Sequence, residues 1–184
     1  MLPNHCPFVG RKQMSIQNQI SVVLVVAVGA LCATQMAAAD HHAKSGTYEF
    51  VGNYVTDYTT VEQLERTVIA GPGEGTLAIN KSSGGPWSDG ASASAVYVIH
   101  IKKSDAGIDL EASGAFTDSS GDKWFVVAQR TAGDTAVGGG GSGRQQIKGG
   151  TGKYEGVSGT CEYSVSFLAD SKTVSRGTCQ WQRD

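Results

Sequence analysis

Two cysteines set symmetrically about one aspartate constrain this chain more than any other feature. In the stretch from Ile147 to Gln182, Cys161 lies nine positions before Asp170 and Cys179 nine after it. An antiparallel pairing centred on Asp170 sets Cys161 opposite Cys179, Tyr163 opposite Gly177, Val165 opposite Ser175 and Phe167 opposite Thr173. Directly opposed residues in a non-hydrogen-bonded pair have closely spaced β-carbons, within reach of a disulfide. The hairpin is also two-faced. Cys161, Tyr163, Val165, Phe167 and Trp181 share one side, and Glu162, Ser164, Ser166, Arg176, Thr178, Gln180 and Gln182 share the other. The first side is expected to be buried and the second wet.

A disulfide needs an oxidising compartment, and the N-terminus points to one. Arg11 and Lys12 form a positive n-region, Ile20 to Cys32 an apolar core, and Ala37-Ala38-Ala39 a small-residue cleavage site before Asp40. Residues 1–39 therefore read as a secretory signal peptide. The apolar run is shorter than the about 20 residues a membrane span requires. Leu31 is too large for the residue before a lipidated Cys32. Cleavage leaves 145 residues with 13 basic and 17 acidic side chains, a net charge of −4. A mildly acidic exported domain does not suit nucleic acid, which needs clustered Lys and Arg. No later segment is long and apolar enough to span a membrane. The expected location is periplasmic or secreted. Only Cys161 and Cys179 remain after cleavage. With no CxxC and no nearby histidine they read as a disulfide, not a metal site.

The rest of the mature chain alternates at the period of a strand. Residues 40–45 form a polar, flexible start; its His41 and His42 have no third ligand at a metal-like spacing. From Thr47 to Thr56, Tyr48, Phe50 and Tyr54 share one face. Tyr58 to Ala70 reads as a second strand on its β-branched content, with a helix over Val61–Arg66 as the competing reading. Gly71-Pro72-Gly73 reads as a turn, Gly75 to Asn80 as a third strand, and Lys81 to Gly90 as a loop with an exposed-looking Trp87 that either lines a barrel mouth or covers its rim. Ala95 to Ile101 is apolar on both faces and is expected to be central and covered. Ile108 to Thr117 points Ile108, Leu110, Ala112 and Phe116 inward. Lys123 to Thr131 follows the turn Asp118 to Asp122, and the glycine run at 138–141 reads as a flexible connection. With a glycine-rich composition, short regular spacing and no clear helix, residues 46–184 are expected to form one all-β domain. The expected architecture is a single antiparallel eight-stranded barrel, which closes its own edges.

Motifs for chemistry are few. GGTGKY at 149–154 has Ile147 where a phosphate loop needs glycine, and Tyr154 where it needs Ser or Thr. It reads as a glycine corner, and no cofactor is expected. DSSGD at 118–122 offers too few oxygens for calcium. Ser142 sits in GGSGR, not in a nucleophile elbow. Two polar residues stand on apolar faces: His100 with Val96 and Val98, and Arg130 with Trp124, Val126 and Ala128. His100 reads as a core or rim histidine. Arg130 reads as solvated at its strand end, or else as paired with a carboxylate or a bound anion or carbonyl.

The run from Asp122-Lys123-Trp124-Phe125 through Arg130 to the glycine-rich Ile147–Gly159, with its GGTGKY-x-G-x-x-G pattern, resembles the allene oxide cyclase-like barrel superfamily. That group also holds dirigent proteins and exported bacterial members. The resemblance implies an eight-stranded barrel around an apolar cavity. It also implies a cyclase or isomerase that confines and orients its substrate, or a protein that orients radicals. The expected partner is a small apolar molecule, lipid-like or aromatic. The candidate cavity residues are Tyr48, Phe50, Tyr54, His100, Trp124, Arg130, Tyr163 and Trp181. Three readings stay open: a binding module, an isomerase or cyclase, and a structural envelope protein with a filled barrel.

Overall fold

A computed structural model describes residues 43–184. The expected signal segment, and residues 40–42 of the expected flexible start, lie outside the described residues. Nine strands follow one another: β1 (Ser45–Thr56), β2 (Thr59–Gln63), β3 (Arg66–Ser82), β4 (Ser92–Ser104), β5 (Gly107–Asp118), β6 (Lys123–Arg130), β7 (Gly140–Gly150), β8 (Val157–Phe167) and β9 (Lys172–Arg183). A single 3₁₀ turn, Gly152–Tyr154, lies between β7 and β8. Neighbours pair antiparallel from β3 round to β9, and β1 pairs with both β9 and β3. Eight strands thus close into a barrel, as the alternation predicts, and β2 adds to the protruding start of β3. Lys44 and Ser45, expected to be frayed, are tied down: the Lys44 carbonyl accepts from the Arg183 amide, and Ser45 pairs with Gln182.

The final hairpin has the register expected of it. Cys161 stands opposite Cys179, Tyr163 opposite Gly177, Val165 opposite Ser175 and Phe167 opposite Thr173. The two cysteine Cα atoms are 3.9 Å apart and a disulfide joins them. Asp170 and Ser171, both at positive φ, turn the chain. The polar side faces water throughout. The apolar side faces in, with Cys161, Phe167 and Trp181 buried and Tyr163 and Val165 half-buried.

Elsewhere the strands depart from the sequence expectations. The run Tyr58 to Ala70 is neither one strand nor a helix but a hairpin, β2 turning at Leu64-Glu65 into β3. Gly71-Pro72-Gly73 is extended strand, not a turn. On that side of β3, pairing with β2 ends at Ala70 and pairing with β1 begins at Gly73. Pro72, which has no N–H to give a ladder, occupies the gap, and its carbonyl accepts the Asp57 amide at 2.9 Å where β1 crosses into β2. Finally, β4 is not covered on both faces. Val96 and Val98 are 59% and 61% exposed. A barrel has one interior, so the second face of an apolar strand is left outside, where β-branched residues still suit the pleat.

One half of the barrel interior is filled by aromatic rings. The β3–β4 loop, expected to expose its tryptophan, folds inward and leaves Trp87 only 1% exposed. Its indole stacks on Tyr48 with centroids 4.4 Å apart, and lies 5.2 Å from Tyr154, 5.7 Å from Trp181 and 5.9 Å from Trp124. Phe116 stacks on Trp124 at 4.9 Å. Offset and edge-on pairs of this kind add to the gain from burying the rings. The disulfide lies in the same cluster.

Candidate functional site

Beyond the aromatic plug, the interior opens into a cavity in which about 110 Å³ is accessible to water centres. One buried water needs roughly 10–15 Å³ on that measure. The space therefore suits one small organic molecule. Its walls come from the inward residues of the strands around the barrel: Ile99 of β4, Leu110 and Ala112 of β5, Val126 and Ala128 of β6, Val165 and Phe167 of β8. Phe116 bridges the plug and the cavity.

Polar atoms are few and placed at particular points. Thr56 Oγ1 and the Tyr97 hydroxyl are 2.5 Å apart and satisfy each other. Burial raises the Tyr54 hydroxyl to about 12, against a lowering hydrogen bond with Ser175. Burial likewise raises Tyr97 and Tyr163, the latter against the opposing pull of Arg130. All three phenols are therefore neutral near pH 7.

Arg130 is the one charged residue in the lining. It ends β6, and the inward parity of Trp124, Val126 and Ala128 carries it into the barrel. It is 1% exposed, which overturns the reading of a solvated strand end. Burial pushes its pKa down, partly offset by Tyr163, Tyr58 and Asp134, yet a guanidinium stays charged at neutral pH. Its Nη1 donates to the Asp134 carbonyl at 3.5 Å, and its Cζ lies over the Phe167 ring, 5.2 Å from the ring centre. Its Nε and Nη2 have no partner among the described residues. The Asp134 carboxylate is turned away, paired with Lys103 at 3.2 Å. Room for the guanidinium comes from glycine. A β-carbon on Gly141 or Gly133 would stand 2.5 or 2.9 Å from Nη1. Part of the glycine run at 138–141, expected to be a flexible connection, is therefore the start of β7 packed over Arg130.

Of the other candidates, Tyr54 and Tyr163 line the cavity. Tyr48, Phe50, Trp124 and Trp181 belong to the packed cluster. His100 is not in the interior: it faces outward beside Val98 and opposite Glu111. Its strand carries apolar residues on both faces, so sharing a face with valines did not mean sharing the core. Tyr58, Tyr97 and Gln145 line the cavity as well. The only sequence signal for Gln145 is its inward parity with the buried Ile147.

The two motifs outside the cavity bind each other. Asp118 accepts from Lys153 Nζ at 2.7 Å, the Ser120 hydroxyl at 2.6 Å, the Ser120 and Asp122 amides, and the Tyr154 hydroxyl at 3.1 Å. The Lys123 amide donates to Thr151 Oγ1, and the Thr151 amide to the Lys123 carbonyl. DSSGD and GGTGKY thus form one hydrogen-bonded corner that seats Tyr154 in the plug. No phosphate or calcium chemistry is needed to explain either.

Neither a protein-family model nor a curated protein matches the sequence. Among solved structures, a pterocarpan synthase dirigent protein overlaps it with a TM-score of 0.44 and 15% identity, over 77% of this chain and 92% of that one.

Proposed function

We propose that the protein binds a small, mostly apolar molecule in the unfilled half of its barrel, as an exported binding module. The observation that carries this reading is the cavity of about 110 Å³ with aliphatic and aromatic walls and one buried guanidinium edge left unpaired. Small-molecule sites have this composition: apolar walls with a few placed polar groups that fix orientation. Export is an expectation from residues 1–39, and the disulfide fits an oxidising compartment. Native mass spectrometry of protein purified from its own host, with calorimetric titration of 2-phenylethanol and 1-hexanol, tests the reading. A co-purifying small molecule or saturable binding of either alcohol supports it. A clean apo mass with no binding returns the protein to the filled-barrel reading, for which the aromatic plug already accounts in half the interior.

A second reading, an isomerase or cyclase acting by confinement, draws on Arg130 alone. A preorganised guanidinium in an apolar cavity can stabilise negative charge developing on a substrate oxygen. It requires that Arg130→Met keep binding while losing turnover.

A further inference from the structure

We infer that the molecule held in this cavity is a small apolar acid bound as its carboxylate, its two oxygens on the Nε–Nη2 edge of Arg130 and its tail against the aliphatic walls. This rests on the small-molecule reading above and names the class of molecule.

Arg130 is fully buried and always protonated. The cavity lining contains no aspartate or glutamate. Asp134 hydrogen-bonds Arg130 through its backbone carbonyl and turns its carboxylate to Lys103 outside. Tyr54, Tyr97 and Tyr163 do not supply the counter-charge at neutral pH, because burial keeps them in their neutral forms. A buried, unpaired charge is expensive, and proteins normally pair it. Here the pairing charge has to come from the occupant. One cation calls for one anion; a phosphomonoester dianion would leave a second buried charge without a partner.

Geometry narrows the anion further. A guanidinium offers its N–H bonds in forks. Nη1 is engaged by Asp134, and the two vacant atoms, Nε and Nη2, lie on one edge. The N–H bonds of that edge run parallel, at the spacing of the two oxygens of a carboxylate, which is why bidentate arginine–carboxylate pairs recur. The buried Gln145 Nε2 adds a third donor without a partner to the same lining. Gln145 stands opposite Ala128 on the neighbouring strand, a diagonal neighbour of Arg130 on the inner face. Three nitrogen donors without a partner among the described residues, and no carboxylate in the lining, make a receptor for an acceptor-only group. The glycines at 133 and 141 leave room for the guanidinium, and its Cζ lies over the Phe167 ring. The head site is therefore built before any ligand arrives. Ile99, Leu110, Val126 and Phe116 supply the apolar surface for a tail.

The test uses matched pairs on the purified protein at neutral pH: phenylacetate against 2-phenylethanol, and hexanoate against 1-hexanol. Calorimetric titration is expected to show each acid binding about ten- to a hundred-fold more tightly than its alcohol, the range of a charge-assisted hydrogen-bonded pair. Arg130→Met is expected to remove that preference, so that each acid binds no more tightly than its alcohol. Equal affinity of acid and alcohol in the native protein overturns the carboxylate assignment and leaves the small-molecule reading standing. Binding of neither acid nor alcohol overturns both. An acid preference that survives in folded Arg130→Met places the anion elsewhere and also overturns the assignment. The comparison on the native protein decides the matter even if the variant does not fold.

Discussion

Gly141 lies so close to Arg130 that a β-carbon at position 141 would stand 2.5 Å from the guanidinium Nη1 and 2.8 Å from the Ala132 carbonyl oxygen. The arginine tip can move, but the backbone carbonyl cannot move without disturbing the β6–β7 connection. Overpacking of this kind costs about 1–3 kcal/mol. Gly141→Ala is therefore expected to lower the urea midpoint by a matching amount. In an Arg130→Ala background the same substitution is expected to cost less, because residues that share a contact are not additive. A double-mutant cycle by urea unfolding measures the difference, and strict additivity would show that the cradle does not hold the guanidinium.

Trp87 comes from a loop yet behaves as the centre of a core. It touches Tyr48, Trp124, Tyr154 and Trp181. Truncating a buried tryptophan costs about 3–5 kcal/mol, so Trp87→Ala is expected to lose most of the protein's stability in denaturant titrations. Ser88→Ala, an exposed position one residue on, is expected to lose almost none. Equal, small effects at the two positions would mean that the loop does not plug the barrel.

These two residues mark the limit of what the sequence conveys. The last hairpin is legible because a period of two and an opposed cysteine pair specify register and faces together, and the pairing of Cys161 with Cys179 follows. The inward set of β5 and the aromatic face of β1 are legible for the same reason. The turn into β3 is not, because Leu64-Glu65 carries no glycine, proline, asparagine or aspartate signal. Gly71-Pro72-Gly73 carries that signal and is extended, because a gap between β1 and β2 accommodates the proline. Parity placed Arg130 on the inner face, but its burial depends on two glycines in a later loop and strand. Trp87 finds its place only when β1, β6 and β9 have come together. Contacts of that range leave no local period to read.

The Cys161–Cys179 bridge should contribute through the unfolded chain. It closes a loop with a sequence separation of 18, for which chain-entropy reasoning gives roughly 3 kcal/mol. Cys161→Ala with Cys179→Ala is expected to lose about that much in urea unfolding. Both sulfurs are fully buried, so reductant is expected to act on the native protein only through opening of the barrel. Mass spectrometry after dithiothreitol treatment should show the oxidised mass without denaturant and the reduced mass with it. Rapid reduction of the native protein would contradict the burial.

The corner built around Asp118 gives the fold a sensitivity to acid. Burial by itself would raise the Asp118 carboxyl, but hydrogen bonds from Lys153, Ser120 and Tyr154 together outweigh it and hold the group well below the usual carboxylate range. In the unfolded chain an aspartate titrates near about 3.9. A depressed folded pKa means that the unfolded state binds the proton first as pH falls. The stabilisation from Asp118 is therefore fully present above about pH 4, and is lost as pH falls through the lower folded value. Asp118→Asn keeps the size and removes the charge that Lys153 meets at 2.7 Å. At neutral pH it is expected to cost about 1.5–3 kcal/mol, the worth of hydrogen bonds to a charged group. The gap between native and variant urea midpoints should then narrow as the pH is taken from about 4 towards 2, since the native protein alone loses this term on protonation. Other carboxylates titrate in the same window, but they do so in both proteins and cancel in the comparison. A gap that stays constant down to the acid limit would mean that the Asp118 charge contributes nothing and that the corner is held by its neutral hydrogen bonds.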